Sequence, residues 1–281
     1  MPGQTLVLIA GQSKAGTTSL FAALSRHPSV GASKLKELRF FLDTDYPLPA
    51  PARFNGRNLA TFRDFCHDPT RPILLEASPD YFACRTPLKL PSHGCRAKAI
   101  VIVREPVSRL VSAYRFFQAE GLLPKHMSFE AYIGAQATPP VTPDTPVAFR
   151  ALDQCRTSHY LPRWRAAYGD DLLVLDFDDV VQDPEGVMVR VCDFLGLESI
   201  PGLALDHRNA ARLSRVPRLQ RRVEAVRRRI AERCLKRPRL HRLLGTVWRG
   251  LNHGSRAAIP REPIVVPPHV RARIHTASAQ P

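Results

Sequence analysis

No stretch of this chain approaches the ~18 consecutive apolar residues that a membrane span requires. Its first apolar run, Leu6 to Ala10, begins almost at Met1. That run is too short for the ~7–15-residue core of a secretory leader, and no basic segment precedes it. A cytoplasmic protein is expected. Cysteine is scattered: Cys66, Cys84, Cys95, Cys155, Cys192 and Cys234 form no CxxC pair and no Cys/His group of zinc-finger spacing. Free, mostly buried thiols suit such a chain. Carboxylates nearly vanish from one segment. Between Arg208 and Arg261, Glu224 and Glu232 stand against 17 Lys and Arg, a local charge of +15. The whole chain carries +16, so the remainder is close to neutral. With 44% hydrophobic and 23% charged residues, collagen-like, mucin-like and wholly disordered chains are excluded. The 281 residues suffice for a full core.

Apolar runs alternate with helical patterns. Residues 5–10 read as a buried parallel strand. Gly11-Gln12-Ser13-Lys14-Ala15-Gly16-Thr17-Thr18 follows, then a helix over Leu20, Phe21 and Leu24. Further strands are expected at Ile73–Glu76, Ala99–Val103 and Leu172–Phe177. Helices are expected after Pro106, over 153–168 and over 184–195, the last closed by Gly196, with a Pro/Thr-rich loop at 137–147. The fold class is therefore α/β: a P-loop-type parallel sheet flanked by helices, with a basic helical segment near the C-terminus.

The first loop carries Gly11 and Gly16 at the spacing of GxxxxGK[ST], but Thr17 stands at the lysine position and Lys14 lies inside the loop. Backbone N–H groups at a helix start, with the hydroxyls of Ser13, Thr17 and Thr18, suit an anionic 5′-phosphate. A nucleotide kinase wants an acid at a neighbouring strand end to hold Mg²⁺; the strand 99–103 ends in Arg104. Two cations without a metal carboxylate suit a polyanion handled without metal. A P-loop small-molecule or nucleotide kinase is the rival enzyme reading.

Together these residues resemble the sulfotransferases that use 3′-phosphoadenosine 5′-phosphosulfate (PAPS), over roughly residues 5–200. Ser13-Lys14-Ala15-Gly16-Thr17-Thr18 is similar to the family's 5′-phosphosulfate loop. Val103-Arg104-Glu105-Pro106, with Ser112 eight residues after Arg104, is similar to its 3′-phosphate motif. Lys36-Glu37-Leu38-Arg39-Phe40-Phe41 resembles the segment that carries a catalytic Glu in the glycosaminoglycan-type branch. Glu76-Ala77-Ser78-Pro79-Asp80-Tyr81-Phe82 resembles that branch's acceptor-cleft segment. The resemblance implies Lys14 on the bridging oxygen, Glu37 as base, Ala15 and Gly16 in the donor loop, and Arg104 with Ser112 on the 3′-phosphate. It implies Arg39, Asp80, Tyr81 and Tyr160 near the acceptor. It implies PAPS as donor, PAP as product, and a small-molecule, carbohydrate or glycolipid acceptor hydroxyl.

Blander pairings are open for several of these. Glu37 also fits a plain ion pair with Lys36 or Arg39, and His159 is a second candidate base. Arg109 has Glu105 four residues before it, at salt-bridge spacing on a helix.

In the basic segment, Val216, Leu219, Val223, Val226 and Ile230 step by threes and fours, one apolar stripe with Arg218, Arg221, Arg222, Arg227, Arg228 and Arg229 on the other faces. Residues 208–250 are expected as a helical insertion or lid on a domain formed by 1–207 and 251–281. The outer faces fit a solvated surface, an anionic acceptor or the inner face of a membrane. Nucleic acid is disfavoured, since no binding module accompanies the charge. A protein that only docks on anionic lipid or nucleic acid has no use for Lys14, Glu37, Arg104 and Ser112 together.

Overall fold

The apolar run Thr5–Ile9 (β1) is covered on both faces, which is why it lacks the polar alternation of a one-sided strand. A computed structural model describes residues 3–136, 141–200, 203–205 and 263–280. In it β1 is the central strand of a five-stranded parallel sheet. The others are β2 (Val30–Ala32), β3 (Ile73–Ala77), β4 (Arg96–Val103) and β5 (Leu172–Asp176), in the order β2-β3-β1-β4-β5. The helices are α1 (Thr17–Leu24), α2 (Pro106–Ala119), α3 (Phe129–Gly134), α4 (Thr157–Tyr168), α5 (Phe177–Gln182), α6 (Pro184–Leu195) and α7 (Pro268–Ala279).

Strand alternation divides the core. Leu6, Leu8, Ala99 and Val101 pack with Phe40, Phe41, Phe62, Tyr81 and Trp164 on one face. Val7, Ile9, Ile100 and Ile102 pack with Leu20, Leu24, Val187 and Val191 on the other. A third cluster joins α2, α3 and α7 around Leu110, Tyr132 and Ile274.

The expected strands and helices are present, with shifts. β4 begins three residues before Ala99, and Phe177 opens α5 instead of ending β5. The helix expected from 153 begins at Thr157, after a separate 3₁₀ turn at Asp153–Cys155. The expected basic helix at 208–250, with its arginine faces, lies outside the described residues. Among the described residues no helix is long and apolar enough to cross a membrane.

The chain leaves β1 toward β2 on one side and later crosses to β4 on the other. Reversal of direction beside a central strand opens a crevice at the carboxyl ends of β1 and β4, where open α/β sheets bind ligands. Gly11 makes this junction possible. The N–H groups of Ala10 and Gln12 donate to the carbonyls of Ile100 and Ile102 (2.9 and 3.0 Å), and a Cβ on Gly11 would lie 2.3 Å from the Ile102 nitrogen. Gly11→Ala is expected to lower stability by about 1–3 kcal/mol, the usual cost of forcing extra volume into a packed site. A melting temperature equal to wild type by calorimetry would contradict the close approach.

Candidate active site

Each strand's carboxyl end delivers one piece of the site. After β1, the loop 11–16 turns through a left-handed Lys14 (φ 68°) and a left-handed Gly16 (φ 84°) into α1. The first N–H groups of α1 have no partner within the helix and face the loop. Ser13, Ala15, Thr17 and Thr18 are all carried on this turn; Thr17 is buried and heads α1.

After β4 comes Arg104. Its N–H donates to Gln12 Oε1 (3.0 Å), its Nε to Ser108 Oγ (3.1 Å) and its Nη1 to the Lys14 carbonyl (2.7 Å). The guanidinium lies 4.2 Å over the Phe177 ring. Ser112 stands one helical turn beyond Ser108 on the same face of α2. Arg109 and Glu105, expected as an ion pair, each take other partners. The Glu105 carboxylate caps α2, accepting from the N–H groups of Val107 (2.9 Å) and Ser108 (2.7 Å). Arg109 turns inward to Ser13, Ala151 and Cys155.

After β2, the segment 36–41 crosses the end of β3. Glu37 (φ 59°) and Arg39 (φ 64°) are both left-handed, a conformation that costs non-glycine residues ~1–2 kcal/mol each. Four backbone hydrogen bonds hold the segment there. The Glu37 N–H donates to the Ala77 carbonyl (2.9 Å). The Arg39 N–H donates to Glu76 Oε1 and Ser78 Oγ (3.2 Å each), and the Phe41 N–H donates to the Tyr81 hydroxyl (3.0 Å). Tyr81 is fully buried beneath this crossing.

The Glu37 carboxylate is clamped by Lys36 Nζ (2.9 Å) and Arg39 Nη2 (3.0 Å) and keeps about a third of its side chain exposed, 35%. Burial acts to raise its pKa, but the charges of Lys36 and Arg39 and their hydrogen bonds outweigh it and bring it down to about 2. Lys14 is pulled below the usual lysine range, chiefly by burial. Glu37 opposes that shift, while Lys36 and Arg104 add to it. These four charges therefore share one electrostatic site. The Lys14 ammonium lies 4.5 Å over the ring of Phe116, a partly exposed residue of α2.

Asp80 and Tyr160 enter a buried polar layer behind this site. Asp80 Oδ1 accepts from the Tyr46 hydroxyl (2.9 Å) and Gln154 Nε2 (3.4 Å), and burial raises its pKa. The Tyr160 hydroxyl donates to Asp153 Oδ2 (2.6 Å), and His159 packs edge-on against the Tyr160 ring (4.8 Å). Lys14, Glu37, Arg39 and Arg104 thus come together at the carboxyl end of the sheet, whereas Tyr81 supports the 36–41 segment from below. Residues not singled out from sequence complete the layer. Gln12 Nε2 donates to the Gln154 carbonyl (3.0 Å) and Thr157 Oγ1 (3.1 Å), and Gln154 Nε2 donates to the Tyr46 hydroxyl (3.2 Å). Gln12 lay inside the glycine-bounded loop; nothing in the pattern marked Gln154, Tyr46 or Phe177. Among the described residues no group of three or more His, Cys, Asp or Glu side chains is arranged to hold a metal ion.

Glu76 is fully buried, with one carboxylate oxygen unpartnered among the described residues. Burial raises its pKa to about 7, against hydrogen bonds from Ser78, Tyr81 and Arg39 that lower it. The folded state therefore holds this proton more tightly than the unfolded chain does. The stability it contributes is full below about pH 4.5 and is lost as pH rises through about 7. Glu76→Gln is expected to flatten the fall of the melting temperature between pH 5 and 8. An unchanged slope would contradict this titration.

Residues 4–214 match the sulfotransferase domain family, three quarters of the chain. The human heparan sulfate glucosamine 3-O-sulfotransferase 6 is 32% identical over 196 residues, 69% of this chain and 52% of that protein. The mouse bifunctional heparan sulfate N-deacetylase/N-sulfotransferase 4 is 30% identical over 200 residues, 68% of this chain and 22% of that protein. The chain spans about half the length, or less, of these relatives. A solved sulfotransferase from Alicyclobacillus acidocaldarius superposes with a TM-score of 0.57 at 24% identity, over 80% of this chain and 94% of that one, and shares the fold. The family's match runs through the glycine-bounded loop, the Glu37 crossing and the Arg104 edge, and the chain belongs to the sulfotransferase family.

Proposed function

We propose that this chain moves a sulfuryl group from PAPS to a hydroxyl of a carbohydrate, glycolipid or glycosylated acceptor. The observation that carries the reading is the convergence of Lys14 and Glu37. Both are held left-handed on separate strand ends, and the charge of Glu37 acts to raise the pKa of Lys14 against burial. An anionic donor suits the crevice because Lys14 and Arg104 meet there, and in this reading Arg104 and Ser112 take a second phosphate of the same ligand. Arginine's planar fork favours a phosphate.

In this reading Lys14 places its ammonium on the oxygen that bridges sulfur and the 5′-phosphate. It neutralises the charge that gathers there as the S–O bond breaks and PAP departs. Glu37 takes the proton of the acceptor hydroxyl as that oxygen bonds to sulfur from the opposite side. Its low pKa keeps the carboxylate ionised across the physiological range. Binding of a polyanion beside it raises its basicity by offsetting Lys36 and Arg39. Arg39 and Lys36 fix the direction of the carboxylate, and Arg39 also bears on Asp80 behind it.

The named relatives are heparan sulfate sulfotransferases, so heparan sulfate oligosaccharides are the first acceptors to assay with PAPS labelled in the sulfuryl group. Label transferred by wild type supports the reading, and transfer from ATP in place of PAPS would favour a kinase. Glu37→Gln keeps shape and loses the proton acceptor. It is expected to lower turnover about 10²–10⁴-fold while PAP affinity by calorimetry stays near wild type. Wild-type turnover in that variant would place the base elsewhere.

A further inference from the structure

Arg109 is fully buried on α2, and no carboxylate among the described residues forms an ion pair with it. Its guanidinium is spent on neutral acceptors. Nη1 donates to Ser13 Oγ (3.0 Å) and to the Ser13 carbonyl (3.3 Å), Nη2 donates to the Ala151 carbonyl and Cys155 Sγ (3.0 Å), and Nε donates to Cys155 Sγ (3.2 Å). A buried cation with satisfied hydrogen bonds but no ion-pair partner keeps part of its field, here offset only at longer range by acids such as Glu105 and Asp153, which also act on Cys155. That field reaches its surroundings: the charge of Arg109 helps to lower the pKa of Arg104, after burial. Arg104 and Arg109 therefore flank the loop 13–16, which itself carries Lys14; Glu37 and Glu120 offset the charge of Lys14, and Asp178 and Glu105 offset that of Arg104.

Ser13 shows how the charge is connected to the loop. Its oxygen accepts from Arg109, so its own hydroxyl proton points elsewhere, in this structure toward Gln154 Oε1 at 3.3 Å. That bond is long, so the proton is only weakly held. Arg109 thus braces the loop from behind and polarises the Ser13 hydroxyl.

We infer that Arg109 is a positioning residue for the anionic donor: it fixes Ser13 from behind the loop, and its unmatched buried charge is balanced when a polyanion occupies the front. The inference rests on the donor reading above and adds a residue that does not touch the ligand. A purely structural arginine would support the fold equally with and without ligand. The charge account instead makes ligand binding depend on Arg109.

Arg109→Met removes the charge at similar volume, and Arg109→Lys keeps the charge but loses the fork. PAP affinity by calorimetry and the rise in melting temperature at saturating PAP are measured for wild type and both variants. Arg109→Met is expected to bind PAP about tenfold or more weakly, with Arg109→Lys in between, about threefold weaker than wild type. The PAP-induced rise in melting temperature should shrink in the same order, whatever the variants' ligand-free stability. PAP affinities within twofold of wild type in the folded variants would overturn the inference. If Arg109→Met does not fold, Arg109→Lys decides by the same criterion. Wild type that binds no PAP would overturn the donor reading and this inference with it. Wild type that binds while the variants are unchanged overturns the inference alone.

Discussion

Among the described residues three that are not glycine, Lys14, Glu37 and Arg39, hold a left-handed backbone, and all three lie at the carboxyl end of the sheet. Such residues persist only where the surroundings over-determine them. Here the surroundings are the strand ends. β3 presents the Ala77 carbonyl, and Glu76, Ser78 and Tyr81 supply side-chain acceptors that leave the 36–41 segment no other register. Gly11 brings β1 against β4, so Lys14 and Arg104 meet at a peptide carbonyl. The site's geometry is thus a consequence of sheet packing, and the strain is confined to the residues proposed to carry the chemistry.

The electrostatics follow from the same arrangement. Glu37 opposes Lys14, Lys36 and Arg39, while Asp178 and Glu105 oppose Arg104. Behind Glu37, burial raises the pKa values of Glu76 and Asp80, and Arg39 opposes the rise at Asp80. Glu76 also accepts from the backbone N–H of Arg39, so this acid holds the 36–41 segment from behind the cations.

Much of this was legible in the residues. The apolar runs of β1, β4 and β5 are continuous because both faces are covered, and the strand–loop–helix at 5–24 announces itself by two glycines with distinct reasons. Gly11 answers a close approach and Gly16 a positive φ. β2 was illegible: Val30-Gly31-Ala32 is too short for alternation and contains the residue least suited to a strand. The 3₁₀ turn before α4 was hidden because its apolar spacing continues into the helix. The candidate site residues on the loops come from their motif order, whereas Gln154, Tyr46 and the inward turn of Arg109 depend on contacts more than 30 residues distant in sequence, which no local pattern encodes. The i,i+4 spacing of Glu105 and Arg109 pointed to the wrong partner because the helix cap claimed the carboxylate first.

The central claim is that the loops after β1, β2 and β4 form one transfer site. A crystal structure with PAP and a heparan oligosaccharide tests it most directly. The account predicts the 5′-phosphate against the turn 13–18, with its leaving oxygen about 2.6–3.2 Å from Lys14 Nζ. It also predicts the 3′-phosphate on Arg104 and Ser112, and an acceptor hydroxyl within the same reach of Glu37. PAP bound away from that turn, or an acceptor hydroxyl nearer to His159 than to Glu37, would contradict it.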